Sequence, residues 1–298
     1  MNMAQYSIKD LEHLTGIKAH TIRIWEKRYS ILNPKRTSTN IRYYDDEDVR
    51  RIINISILND KGFKISHISG FSETEIQEKV EYLSLDAGEF KTQIESLVLA
   101  MITMSESKFN DILSKSIMVQ GFEKTFLNIV FPFLQRIGLL WQTGAVNPGQ
   151  EHFVSNLIRQ KLIANIDAQN HPVSIHSKRF ILFLPEGELH ELGILFLAYL
   201  IKKRGHELMY LGQFTPLQSV IETDRIWNSD ILITSFISAI SGVIPKEYAE
   251  KMARTFLDKK VIFTGQLSKE VSELKYKNIM TFPENTGIIN YLDKPNNV

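Results

Sequence analysis

The sequence predicts a multidomain chain: an all-α winged helix-turn-helix, then a four-helix bundle, then an α/β unit with a doubly wound parallel sheet. Three observations predict it. Basic charge gathers at the N-terminal end. Apolar residues recur at helical spacing through the middle. Beyond residue 176, strand-like and helical runs alternate.

In YSIKDLEHLTGIKAHTIRIWEKRY, Ser7 is a good N-cap, and Ile8, Leu11 and Leu14 share one helical face. Thr15-Gly16-Ile17 makes a tight turn, and a second helix is expected from about Lys18 to Arg28, with Ile22 and Trp25 on its inner side. Two short helices joined by a Gly-containing turn can place the second in a DNA major groove. A basic wing follows: Pro34-Lys35-Arg36, a Ser/Thr/Asn turn and the short strand Ile41-Arg42-Tyr43-Tyr44, before a helix capped at Asp45 or Asp46. Residues 1–44 carry eight Lys/Arg against three acids, whereas the whole chain is only +1. Cationic charge therefore sits where DNA backbone contacts would lie.

Residues 72–88 are polar with Ser/Asp/Gly punctuation and suit a connecting helix and linker. From Glu89 to about Asn170, Phe90/Ile94/Leu97, Phe109/Ile112/Leu113, Phe122/Phe126/Ile129, Leu140 and Phe153/Leu157/Leu162 fit four bundle helices. The C-terminal strand-like runs are 179–184, 207–211, 230–236, 260–264 and 278–282. Helical runs are 190–204, 216–228, 245–257, 267–276 and 286–293. Five βα units of this kind make a flavodoxin-like sheet, with His190, Ser235 and Gly265 at strand carboxyl ends, where open α/β sheets bind ligands. The expected boundaries are 1–75, a linker 76–88, a bundle 89–175 and an α/β domain 176–298.

At 298 residues, 43% hydrophobic and 23% charged, the composition suits an ordinary soluble protein. No apolar run reaches spanning length and no leader pattern opens the chain, so a cytoplasmic location with no membrane partner is expected. Cysteine is absent, which removes disulfides and thiolate metal sites. His171, His176 and His206 lack partners at ligand spacing and are expected at the surface.

Arg23-Ile24-Trp25-Glu26-Lys27-Arg28-Tyr29, followed by Asn40-Ile41-Arg42-Tyr43-Tyr44, resembles the DNA-binding domain of the MerR family. The resemblance implies a dimer on a pseudo-palindromic double-stranded operator. It places His20, Thr21 and Arg23 at bases or nearby phosphates, Tyr29, Lys35, Arg36, Asn40, Arg42 and Tyr43 on backbone and wing, and Trp25 in the core. Glu188-Leu189-His190-Glu191-Leu192-Gly193, then Ser235-Phe236-Ile237, then Thr264-Gly265, with upstream Trp141 and Glu151-His152, resembles the cobalamin-binding module. That likeness implies that His190 binds cobalt from below, with Glu188 fixing its tautomer. It also implies that the nucleotide tail passes Gly193, Ser235, Ile237, Thr264 and Gly265, and that Trp141, Glu151 and His152 serve the corrin's upper face. Three positions depart from the family: Glu188 replaces Asp and lengthens the reach to His190, Ile237 replaces Leu, and Thr264 puts a β-branched side chain where the tail should pass.

The two resemblances together imply a repressor similar to the cobalamin-dependent repressors of carotenoid and light-response genes. In such proteins adenosylcobalamin, held between bundle and α/β domain, assembles the DNA-binding domains into tetramers on the operator, and light breaks the assembly; a homo-oligomer, dimer or tetramer, is the expectation for this chain. Gln142 stands where light-responsive relatives have His, so an impaired light switch is expected. No barrel, nucleophile elbow, phosphate-binding loop or catalytic carboxylate pair remains to be placed, so catalysis is not expected. A regulator that kept the fold, lost the cofactor and answers to a partner protein is the alternative.

Overall fold

Ser7 and Asp45 open their helices in the same way, and together they frame the N-terminal part. The computed structural model describes residues 5–37, 39–84, 90–142, 144–169, 177–237 and 243–293, with Glu81, Ser84 and Asn285 described in backbone only. Residues 85–88 of the expected linker, His171 and His176 lie outside these. The described residues divide by contacts into two units, Met1–Leu157 and Ile158–Val298.

In the first unit, α1 (Ile8–Thr15) begins with a capping box between Ser7 and Asp10 and ends at Gly16, whose φ of 74° is left-handed. The Glu12 carboxylate then accepts from Ala19 N at 3.1 Å and Lys18 Nζ at 3.0 Å, tying the turn to the start of α2 (Ala19–Tyr29). Strands β1 (Lys35–Arg36) and β2 (Arg42–Tyr43) pair antiparallel as the wing. Asp45 caps α3 (Asp46–Asp60) in a second capping box with Asp48, and α4 (Ile65–Ile68) and α5 (Glu73–Ser84) follow. Leu11, Leu14, Ile22, Tyr44, Val49, Ile52 and Ile53 are fully buried. Trp25 corrects the expectation: it is half-buried, because Ile22 alone of α2 reaches the interior.

The bundle helices are α6 (Phe90–Ile102), α7 (Glu106–Gln120), α8 (Phe122–Thr125) running through a π-turn at Phe126–Val130 into α9 (Phe131–Gln142), and α10 (Pro148–Asp167). Phe122 and Phe126 stack at 4.4 Å, and Phe109 meets Phe133 at 5.6 Å. Of the expected core positions, Phe90 is exposed, and Ile94 and Phe153 are half-buried. The helix-turn-helix is fastened to the bundle by Arg136, whose guanidinium donates to His13 O (3.2 Å) and Leu14 O (2.9 Å). Glu95 lies 3.8 Å from the same guanidinium. Burial pushes its carboxyl pKa up, against the pull of Arg136.

The second unit is a five-stranded parallel sheet in the order β4-β3-β5-β6-β7. The strands are β3 (Arg179–Phe183), β4 (Glu207–Tyr210), β5 (Ile231–Ser235), β6 (Lys260–Thr264) and β7 (Ile279–Phe282). Helices α11 (Leu192–Lys203), α12 (Leu217–Trp227), α13 (Pro245–Thr255) and α14 (Asn285–Leu292) connect or follow them. Every residue of β5 is buried, as expected of a central parallel strand covered on both faces. The expected helix 267–276 is instead a 3₁₀ segment, Gln266–Glu273. Leu267 N is held by Phe236 O, and Ser268 N closes back on Gly265 O. His206 is half-buried rather than at the surface. Its ring packs on Phe180, Nδ1 accepts from Lys178 N, and burial lowers its pKa, with Arg204 and Lys178 adding to the effect. No helix among the described residues is long and apolar enough to cross a membrane.

Candidate cofactor and nucleic-acid sites

The chain passes from β3 to β4 on one side of β3 and then crosses back to β5 on its other side, so the loop after β3 opens at a topological switch point. His190 lies in that loop, just before α11. Its side chain is 59% exposed, whereas the Glu188 carboxylate beneath it is fully buried. Glu188 Oε1 accepts from Leu189 N and His190 N, each at 3.0 Å, and lies 2.7 Å from His190 Nδ1. Oε2 accepts from Ile237 N at 2.8 Å, linking the loops after β3 and β5. An ionised carboxylate oxygen can only accept, so this contact calls for the proton on Nδ1, and in the neutral ring that leaves the lone pair on Nε2, the form that ligates a metal. The longer reach of Glu188 is therefore no impediment to orienting the imidazole.

Ser235 ends β5, opposite Thr264 at the end of β6, and both are buried. Thr264 Oγ1 donates to Thr234 O at 3.3 Å, so its hydroxyl is taken up by the neighbouring strand. Gly265 is demanded by the fold itself. Its φ is +85°, and a Cβ there would lie 2.4 Å from Phe236 O. Gly193 is different: a Cβ would meet nothing within 4 Å, so the fold does not require glycine, and the open space suits a close-lying ligand. Ile237 enters through its backbone N–H.

Sequence reasoning missed the neighbour of His190. Glu191 is buried and joined to Arg159 of α10, and its Oε2 accepts from Tyr210 Oη at 2.8 Å. Burial, and then this hydrogen bond, raise the Tyr210 pKa. An acid beside the histidine was the only sequence signal, since its partners are distant in the chain.

In the first unit, Trp141 and Gln142 are the exposed last residues of α9, and Trp141 is no part of the bundle core. Glu151 and His152 stand in the first turns of α10, with His152 Nδ1 2.9 Å from Glu151 Oε2 and Ser155 Oγ donating to Glu151. Among the described residues, no group of three or more His, Cys, Asp or Glu could hold a metal ion. The oriented imidazole of His190 fits a metal that a cofactor brings with it.

His20, Arg23, Lys35, Arg36, Asn40 and Arg42 are exposed, and Thr21, Tyr29 and Tyr43 are half-buried. The wing pairs Lys35 with Tyr43 and Arg36 with Arg42. Arg36 Nη1 donates to Asn40 Oδ1 (2.9 Å) and O (3.2 Å), which holds the turn where Asn40 has φ 66°. Lys35 Nζ lies 2.5 Å from Asp45, and this contact pulls the Asp45 pKa down. Arg23 and Arg42 are exposed and make no ion pair among the described residues.

A basic helix and wing in the first unit, and an imidazole oriented by a buried carboxylate at the switch point of a parallel sheet in the second, fit a DNA-binding regulator with a cofactor domain. Residues 6–74 match the MerR HTH family regulatory protein and residues 93–164 the B12 binding domain, whose cofactor is cobalamin. The chain is a transcriptional regulator of this composite type, homologous to two HTH-type transcriptional repressors of Myxococcus xanthus. With CarH it is 29% identical over 222 residues, 72% of this chain and 73% of that protein. With CarA it is 25% identical over 244 residues, 81% and 79% of the two chains. The monomethylamine corrinoid protein of Methanosarcina barkeri matches with a TM-score of 0.52 at 13% identity, covering 64% of this chain and 91% of that one, a likeness of fold.

Proposed function

We propose that this protein is a non-catalytic repressor whose self-assembly and operator binding are controlled by cobalamin. The observation that carries the reading is the buried Glu188 carboxylate presenting His190 as a ligand at the sheet's switch point. His190 is assigned to cobalt. Glu188, Gly193, Ser235, Ile237, Thr264 and Gly265 are assigned to the loop edge beside the nucleotide tail. The helical part contributes exposed Trp141, with Glu151 and His152, as cofactor contacts. His20, Thr21, Arg23, Tyr29, Lys35, Arg36, Asn40, Arg42 and Tyr43 are assigned to DNA. The working parts are residues 1–75, 89–175 and 176–298, and the active form on DNA is a dimer or tetramer. Cobalamin acts by linkage, since a ligand bound better by the assembled form shifts the equilibrium toward it.

The test is the visible spectrum and sedimentation of purified protein with adenosylcobalamin in the dark and after illumination. Wild type should bind base-off with imidazole on cobalt, and His190→Ala should bind at least about tenfold more weakly or leave the corrinoid's own base in place. With Gln142 after Trp141, illumination should leave no stable two-histidine adduct. An unchanged cobalt spectrum and affinity in His190→Ala would overturn the assignment.

A further inference from the structure

The first unit holds a cavity of about 300 Å3 that neither the DNA-binding nor the cofactor assignment uses. It is walled by α3 and α5 of the DNA-binding part and by α6 and α7 of the bundle. Leu99, Ala100 and Ile112 give it an apolar side. Arg50, Lys108 and Lys115 line it as three cations against the single acid Asp111, and none of the three is in an ion pair among the described residues. Two of the residues that line it carry an unmet polar atom. Asn54 is 1% exposed and its Oδ1 has no hydrogen-bond partner, and the buried Nε of Arg50 has none either.

An unmet buried polar atom is costly, and both of these belong to residues that line this one cavity. The Asn54 amide can present its oxygen or, turned over, its NH2 group, so it can serve either as acceptor or as donor. The volume is at the lower end of the range for small-molecule sites. We infer that this cavity binds a small amphipathic organic anion, whose apolar body lies on Leu99 and Ile112 and whose carboxylate or phosphate meets Arg50, Lys108 and Lys115. A ligand there touches the DNA-binding helices and the bundle at once, which makes it a second effector position independent of His190.

The experiment is calorimetric titration of the full, cobalamin-free chain with octanoate, 1-octanol and inorganic phosphate. Octanoate should bind at one site per chain and more tightly than either of the others. Lys108 and Lys115 are exposed, so Lys108→Gln/Lys115→Gln should fold normally and weaken octanoate about tenfold, as expected for losing charge-assisted contacts. Leu99→Trp, with folding checked by circular dichroism, should block the cavity, and His190→Ala should leave octanoate binding intact. Absence of saturable octanoate binding, equal affinity for 1-octanol, an unchanged lysine variant, or loss of octanoate binding in His190→Ala would each overturn the inference.

Discussion

Arg23 and Arg42, on the recognition helix and wing, are exposed long side chains that the fold hardly engages. Glu188, beneath His190, is wholly buried and takes hydrogen bonds from three backbone N–H groups and an imidazole. The proposed DNA surface thus keeps its chemistry at the tips of side chains, and the shape below would survive their loss. The proposed cofactor loop keeps its chemistry in a buried scaffold, where positioning and stability are one thing. Substitutions should accordingly separate function from folding in the first region and not in the second.

The largest effect is expected from Glu188→Ala. It strands the N–H groups of Leu189, His190 and Ile237 and frees the imidazole to rotate. Chemical denaturation should report about 3 kcal/mol or more lost from the α/β unit, together with loss of cobalamin binding. A variant as stable as wild type would break the comparison. Gly265→Ala comes next. A Cβ at 2.4 Å from Phe236 O, on a backbone with φ +85°, should cost about 2–3 kcal/mol and lower the midpoint of thermal unfolding. Gly193→Ala should be nearly neutral for stability, because nothing stands where its Cβ would go.

Arg23→Ala and Arg42→Ala should leave stability within about 0.5 kcal/mol, since both side chains are exposed. Operator affinity should fall by about 1–3 kcal/mol in each, with the loss measured at fixed salt by fluorescence anisotropy. Ordinary affinity in folded variants would remove them from the DNA surface. The smallest effect concerns alkaline pH. Burial, with Asp46 adding to it, raises the Tyr6 pKa to about 12, above the ordinary value near 10. A raised pKa means that its stabilisation is present below about pH 10 and drains away between pH 10 and 12. Tyr6→Phe should therefore flatten the loss of stability between pH 10 and 11, by about 1 kcal/mol.

The capping boxes at Ser7 and Asp45, the parallel strands to within a residue or so, and the register that puts His190, Ser235 and Gly265 at strand ends were all legible in the sequence. These depend on local chemistry: a short polar side chain before a helix, and apolar runs of strand length broken by turns. The surface positions of Arg23, Arg42 and Asn40 were legible too, because charged and turn-forming residues at a helix face and hairpin carry their exposure with them.

What tertiary structure alone decided is which neighbours those residues meet. Periodicity sees three or four residues ahead, whereas Glu188 is completed by Ile237, Glu191 by Arg159 and Tyr210, and Gly265 is forced by the carbonyl of Phe236. The same limit explains Trp25 half out of the core and Trp141 exposed at the end of α9. An aromatic residue is apolar wherever it stands, but only the packing of other elements decides whether water is kept from it. Sequence by itself determined the residue types and the elements that carry them. The fold decided their partners, because burial and hydrogen-bond satisfaction belong to pairs of elements and not to either one alone.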